Sequence, residues 1–170
     1  MQLATNSVHD VSDYEECIRR EGLRRYDNNQ RAGIEGMTNK AKARAQHTLG
    51  AAAEVAARLH YRHDPFGIEL DELGKCDLEV GGVKFDVKCV KSDYPILNVQ
   101  HYDEVLERRK GWLIQVMYYE GFGWRFMTGP IISYQDLAYL PIVEPAGGHR
   151  SKHWSINLET YKSGAPCLSK

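Results

Sequence analysis

The stretch Cys76-Asp77-Leu78-Glu79-Val80-Gly81-Gly82-Val83-Lys84-Phe85-Asp86-Val87-Lys88-Cys89-Val90 decides the fold. Two runs of alternating apolar and polar residues flank a Gly-Gly pair, the pattern of a two-residue β-hairpin. Strands are expected over 75–80 and 83–90. With Gly81 and Gly82 as the loop, Val80 faces Val83, Glu79 faces Lys84, Leu78 faces Phe85 and Asp77 faces Asp86. Period-two alternation then puts Cys76, Leu78, Val80, Val83, Phe85, Val87 and Cys89 on the core face, and Asp77, Glu79, Lys84, Asp86 and Lys88 on the other. Glu79 has Lys84 opposite, whereas Asp77 has only Asp86. Like charges in direct opposition are destabilising. A divalent cation held by oxygen ligands from adjacent strands, Mg²⁺ or Mn²⁺ by its preference for carboxylates, is the simplest reason for such a pair.

Outward from the hairpin, the chain alternates helical and strand patterns. Upstream, Ser12 caps an expected helix to about Tyr26, with Tyr14, Cys17, Ile18 and Leu23 as a partial apolar stripe, and 27–36 reads as a loop. Thr38 or Asn39 caps a long helix to about Tyr61, rich in alanine and therefore slim and of high helical propensity. Asp64-Pro65 breaks it. Downstream, Asn98 is expected to cap a helix to Lys110, stopped by Gly111. The run 112–119 (WLIQVMYY) is apolar at nearly every position, as a strand buried on both faces would be. A turn at 121–123 leads to a strand at 124–127, Ser133 caps a short helix with Leu137 and Leu140, and a last short strand is expected at 153–158. This order is that of an α/β fold, a central mixed β-sheet flanked by helices.

The chain has 170 residues and ordinary globular composition, 42% hydrophobic and 26% charged, which suits a single domain and excludes a fibre, a coiled coil or a disordered tail. No apolar run approaches the ~20 residues that span a bilayer, and 1–11 lacks the basic and apolar regions of a signal peptide, so an intracellular protein with no membrane partner is expected. Cys17, Cys76, Cys89 and Cys167 are scattered, as reduced cytosolic thiols are. His60 and His63 are three apart, but no third ligand joins them.

The formal net charge of -1 argues at first against a nucleic-acid binder. It conceals a segregation: residues 1–16 carry a net -4, residues 17–63 a net +6, residues 64–107 a net -7 and residues 108–170 a net +4. Near-neutrality is a cancellation of basic and acidic blocks, the distribution of a cation-binding centre flanked by polyanion-binding surfaces.

Asp77, the triplet Asp86-Val87-Lys88 one hairpin later, and the helical Glu54 upstream resemble the PD-(D/E)XK nuclease superfamily. The resemblance runs over about 38–141 and implies a restriction-endonuclease-like core of αβββαβ type, with 1–37 as an N-terminal helical elaboration and 142–170 as a C-terminal extension. It implies that Asp77, Asp86 and Glu54, with the backbone carbonyl of Val87, hold Mg²⁺ or Mn²⁺, and that Lys88 orients or helps to deprotonate the attacking water. Cys76 stands where the motif name has proline, and the second acid is aspartate, which the motif permits. Without the resemblance, Asp77, Asp86 and Lys88 read as an exposed face with cross-strand pairing, and Glu54 as the i,i+4 partner of Arg58.

The implied activity is a metal-dependent deoxyribonuclease, an endonuclease of phage or mobile-element type or a junction-resolvase-like enzyme. Its partner would be double-stranded or branched DNA, and a homodimer would suit cleavage of two strands. Phosphate contacts are expected from Arg19, Arg20, Arg24, Arg25, Lys40, Lys42, Arg44, Lys91 and Lys152, with Arg108, Arg109, Lys110 and Arg150 as further candidates. Tyr94, Trp154 and Tyr161 are candidates for stacking on bases. The alternatives are a catalytically inactive DNA- or protein-binding module of the same fold, and a hydrolase of a small phosphorylated substrate.

Overall fold

A computed structural model describes residues 7–32, 39–70, 75–100, 105–144 and 152–159. The elements in chain order are β1 (Val8–Asp10), α1 (Glu15–Arg31), α2 (Lys40–His60), β2 (Leu78–Val80), β3 (Val83–Lys91), β4 (Ile96–Gln100), α3 (Val105–Arg108), β5 (Leu113–Tyr119), β6 (Arg125–Ser133), α4 (Tyr134–Leu137), β7 (Ile142–Val143) and β8 (His153–Asn157). Short 3-10 turns precede α1 and follow α2. Among the described residues, no helix is long and apolar enough to cross a membrane.

Five strands form a mixed sheet in the order β1-β6-β5-β3-β2, in which only β3 and β5 are parallel. The strand β5 is central and almost wholly buried, as its uninterrupted apolar run predicts. Its side chains divide between two cores. Met117 joins Phe85, Val87, Phe126 and the alanine face of α2 on one side, while Ile114, Val116 and Tyr118 join the other. That second core is closed by α4 and a small antiparallel sheet, β4-β8-β7, through Leu97, Val99, Trp154 and Ile156. The result is a curled mixed sheet with the α1–α2 pair on one face and the small sheet with its short helices on the other.

The hairpin has the expected register, Leu78↔Phe85, Glu79↔Lys84 and Val80↔Val83. Gly81 and Gly82 have φ of 57° and 82°, the left-handed values that a type I′ turn requires and that side chains disfavour. Asn39 caps α2 by accepting from the Lys42 N–H at 3.0 Å, and the Ser133 hydroxyl caps α4 by accepting from Gln135.

Three expectations are corrected. Residues 98–110 do not form one helix: 96–100 is strand β4, which buries Leu97 and Val99 by period two, and among the described residues of this stretch Val105–Arg108 is helical. The apolar spacing at Val99, Tyr102, Val105 and Leu106 fits a helix, but Val99 belongs to a strand paired with β8. The first helix starts at Glu15 and runs through Asp27–Asn29 to Arg31; Ser12 does not cap it, and its hydroxyl donates to Asp10 instead. The upstream hairpin strand is shorter, beginning at Leu78. The short strands β1 and β7 carry no sequence signal of their own.

Candidate metal centre and nucleic-acid cleft

The strand β2 ends before its partner does, and this leaves one edge of β3 open from Val87 onward. The Asp77 N–H donates to the Phe85 carbonyl at 2.9 Å, although Phe85 already pairs with Leu78, so the ladder slips at this point. Asp77 is therefore not the simple cross-strand partner of Asp86 that ideal register would make it. Its carboxylate instead accepts from the Val87 N–H at 2.6 Å, covering the first unpaired backbone donor of the edge. The Asp77 carbonyl accepts from Arg58 at 2.8 Å.

Asp86 and Lys88 lie two apart on β3 and share a face. Asp86 is 4% exposed. One of its oxygens accepts from the Lys88 ammonium at 2.7 Å, and the other accepts from both Arg109 and the Tyr134 hydroxyl. Burial opposes ionisation of Asp86, but the charges of Lys88 and Arg109 overcome it and hold the carboxyl down at about 2. Asp77 goes the other way: burial, then the charges of Glu54 and Asp86, push it well above the ordinary carboxyl range. Two acids side by side are thus shifted in opposite directions, Asp86 down by its cationic neighbours and Asp77 up by burial and its acidic ones. Burial disfavours charge on Lys88 as well, yet Asp86 and Asp77 keep its ammonium charged and raise its pKa.

Glu54 reaches the same cleft from α2. It is 4% exposed, and its carboxylate is gripped by Arg25 of α1 at 2.5 and 2.7 Å. The expected i,i+4 pair with Arg58 does not form. Glu54, Asp77, Asp86, Val87 and Lys88 all line one cavity of about 890 Å³, together with Arg24, Arg25 and Arg109 from the basic blocks and Lys91 from the end of β3. Comparison with protein-family models, with curated proteins and with solved structures finds no match for this chain.

The other candidates separate by position. Arg19 and Arg44 lie beside a second groove, while Arg20, Lys40 and Lys42 are exposed on the two helices outside the cleft lining. Lys152 pairs with Glu144 at 2.7 Å and is not among the cleft residues. Trp154 is 1% exposed within the second core, so it cannot stack on a base; its place opposite Val99 in the small sheet explains why. Tyr94 is open to solvent. Tyr161, Cys167 and Arg150 lie outside the described residues.

One functional candidate, Tyr134, escapes sequence reasoning, and another, Arg109, is named there without its partner. Tyr134 opens α4 and is fully buried, and its hydroxyl donates to Asp86, with burial and then the Asp86 charge holding it protonated. Nothing in its sequence neighbourhood distinguishes it from the other tyrosines. Arg109 stands in the basic run 108–110, but only the fold shows which of the three reaches Asp86.

The donor set suits a hard divalent cation, because carboxylate oxygens and a carbonyl are the ligands such ions take. In the structure, cations of the chain itself hold these acids. Among the described residues, no three histidine, cysteine or acidic side chains close around one point. Metal entry therefore requires Glu54 to part from Arg25, or Asp86 from Lys88 and Arg109, by rotation of long side chains.

Proposed function

We propose that this chain is a metal-dependent deoxyribonuclease of the PD-(D/E)XK superfamily, with a restriction-endonuclease-like core, acting as an endonuclease of phage or mobile-element type or on DNA junctions. The observation that carries this reading is the convergence of Asp77, Asp86, Lys88 and Glu54 on the wall of one basic cleft. Asp77, Asp86, Glu54 and the Val87 carbonyl would hold Mg²⁺ or Mn²⁺. Bound there, the ion supplies a water of lowered pKa and neutralises charge on the phosphate.

The chain's own residues perform the rest. Lys88, charged and fixed by Asp86, places an ammonium where negative charge grows on the phosphate. Arg109, held in the same way, offers a second cation on release from Asp86. Arg24, Arg25 and Lys91 line the cleft and draw the DNA backbone to it. Tyr134 anchors the Asp86 carboxylate and so fixes the angle from which the site is built.

Incubation of the purified chain with plasmid, linear, single-stranded and branched DNA in Mg²⁺ or Mn²⁺ tests this proposal, with Lys88→Ala and Asp86→Ala alongside. Cleavage by wild type alone is expected; a wild type that cuts none of these and binds no divalent ion overturns the enzyme reading. The second reading, an inactive DNA- or protein-binding module of the same fold, is favoured by one observation. Arg25, Lys88 and Arg109 already neutralise Glu54 and Asp86, which would make a stable cleft without any metal.

A further inference from the structure

A second groove of about 520 Å³ lies beside the cleft and plays no part in the chemistry above. Its size falls within the ~300–1,000 Å³ of small-ligand sites. It is lined by Arg19 of α1, Arg44 and Leu49 of α2, Tyr119 at the end of β5, and Trp124 after the following turn. The groove continues the cleft: Leu49 lines both, and Lys91 of the cleft is the register partner of Tyr119.

The turns that leave these paired strand ends expose large aromatic side chains. Tyr94, in the turn after β3, is 65% exposed, and Phe122, in the turn between β5 and β6, is 63% exposed. The two turns start side by side, joined by the Ser92 N–H donating to the Tyr119 carbonyl at 3.0 Å. Trp124 is half-buried, with the Arg19 guanidinium 5.4 Å from its ring centre.

We propose that this surface is a stacking platform for unpaired nucleobases of the DNA strand held in the cleft, resting on the nuclease reading above. Exposed rings interleaved with cations are the pattern of single-strand grooves: each base offers a π-face to an aromatic side chain, while arginine and lysine follow the phosphates. A duplex hides its base faces and offers such rings nothing to stack on. Besides its place over Trp124, Arg19 makes an exposed pair with Glu15, which a phosphate can replace at little cost. Arg44 rests over the Tyr26 ring at 4.9 Å with its charge still directed to solvent. The substrate class is therefore DNA with a single-stranded stretch next to the scissile phosphate, such as a branch, a flap or an end.

Fluorescence anisotropy in EDTA, with the full chain, separates this proposal from the catalytic one. The probes are a labelled oligo-dT of about 12 nucleotides, within the ~4–16 that such grooves cover, and a duplex of equal length. The variant Tyr94→Ala/Phe122→Ala removes exposed rings only; Trp124→Leu is a second variant, checked for folding by circular dichroism. Oligo-dT binding is expected to weaken about tenfold or more in the double variant, with duplex binding changed much less. Wild-type cleavage of branched DNA in Mg²⁺ is measured in parallel. If wild type cleaves but the double variant binds oligo-dT as tightly as wild type does, or loses both probes equally, the platform is overturned and the nuclease reading stands. If wild type cleaves nothing while the variant loses oligo-dT, the platform stands and the nuclease reading falls. A wild type that binds no oligo-dT overturns the platform outright.

Discussion

Arg25 of α1 donates to both carboxylate oxygens of Glu54 on α2, and through its Nε to Glu21 on its own helix. One guanidinium thereby bridges two carboxylates that are almost wholly buried, with Arg24 as a second cation on Glu21. Burial disfavours the Arg25 charge, yet the hydrogen bonds and charge of Glu54, joined by Glu21, raise its pKa. The first helix is in this way fastened to the acid proposed for the metal shell.

Replacing Arg25 by Gln should therefore destabilise the protein strongly, because it strands the buried Glu54 charge, while Glu21 keeps its pair with Arg24. Removing one partner of a buried pair costs roughly 3–5 kcal/mol, and the partial exposure of Arg25 places the expectation near about 3. A lower urea midpoint with unchanged slope is the expected result, and Glu54→Gln in the same background should recover part of the loss. An Arg25→Gln chain as stable as wild type would show that the pair is incidental.

Gly22→Ala should loosen the seam between α1 and α2. A Cβ at Gly22 would lie 2.4 Å from the Thr48 hydroxyl and 2.7 Å from the Thr48 Cα, and that backbone cannot turn aside. Alanine gains up to ~1 kcal/mol in helical propensity, against about 1–3 kcal/mol for forcing packed elements apart. The expected outcome is net destabilisation, together with weaker DNA binding as Arg24 and Arg25 shift away from the cleft. Thermal melts and a binding titration of the variant check both parts.

How much was legible in the sequence follows from where the signals are local. The hairpin, its register from Leu78–Phe85 to the turn, the capping of α2 by Asn39 and the burial of β5 all rest on spacing within a few residues, and each is found, whereas the expected facing of Asp77 and Asp86 is lost where the ladder slips at Phe85. The residues 96–100 misled because Val99 and Leu97 are buried by a strand, β8, more than 50 positions away, and no local pattern reveals that partner. The acids Glu54, Asp77 and Asp86 were visible as types and spacing. The hold on the Asp86 carboxylate was not, because it depends on Arg109 and Tyr134, which come from other elements. Trp154 was proposed as a stacking ring and is a core residue, whereas Phe122 and Trp124 gain their significance only from the pairing of β3 with β5.

Acid should weaken the attachment of β1. His9 on β1 and His60 at the end of α2 lie with ring nitrogens 3.3 Å apart, and burial lowers the pKa of both, with the His60 charge adding to the effect on His9. Both are neutral in the folded state well above their ordinary value of 6.5. As pH falls through that value the unfolded chain takes up protons first, so stability declines, by up to ~1.4 kcal/mol per pH unit for each proton of difference. Urea midpoints measured from about pH 7.5 down to pH 5 should fall for wild type and fall less for His60→Gln. Parallel curves for the two proteins would count against the pair.

The most direct measurement is the rate of DNA cleavage as Mg²⁺ is titrated, for wild type, Asp86→Asn and Lys88→Met, each first shown to be folded. The expected result is no cleavage in EDTA, a rate for wild type that rises and saturates with Mg²⁺, and rates about 100-fold lower or worse in both variants. Cleavage that persists in EDTA, or variants that cut as fast as wild type, would contradict the assignment of Asp86 and Lys88 to a metal-dependent nuclease centre.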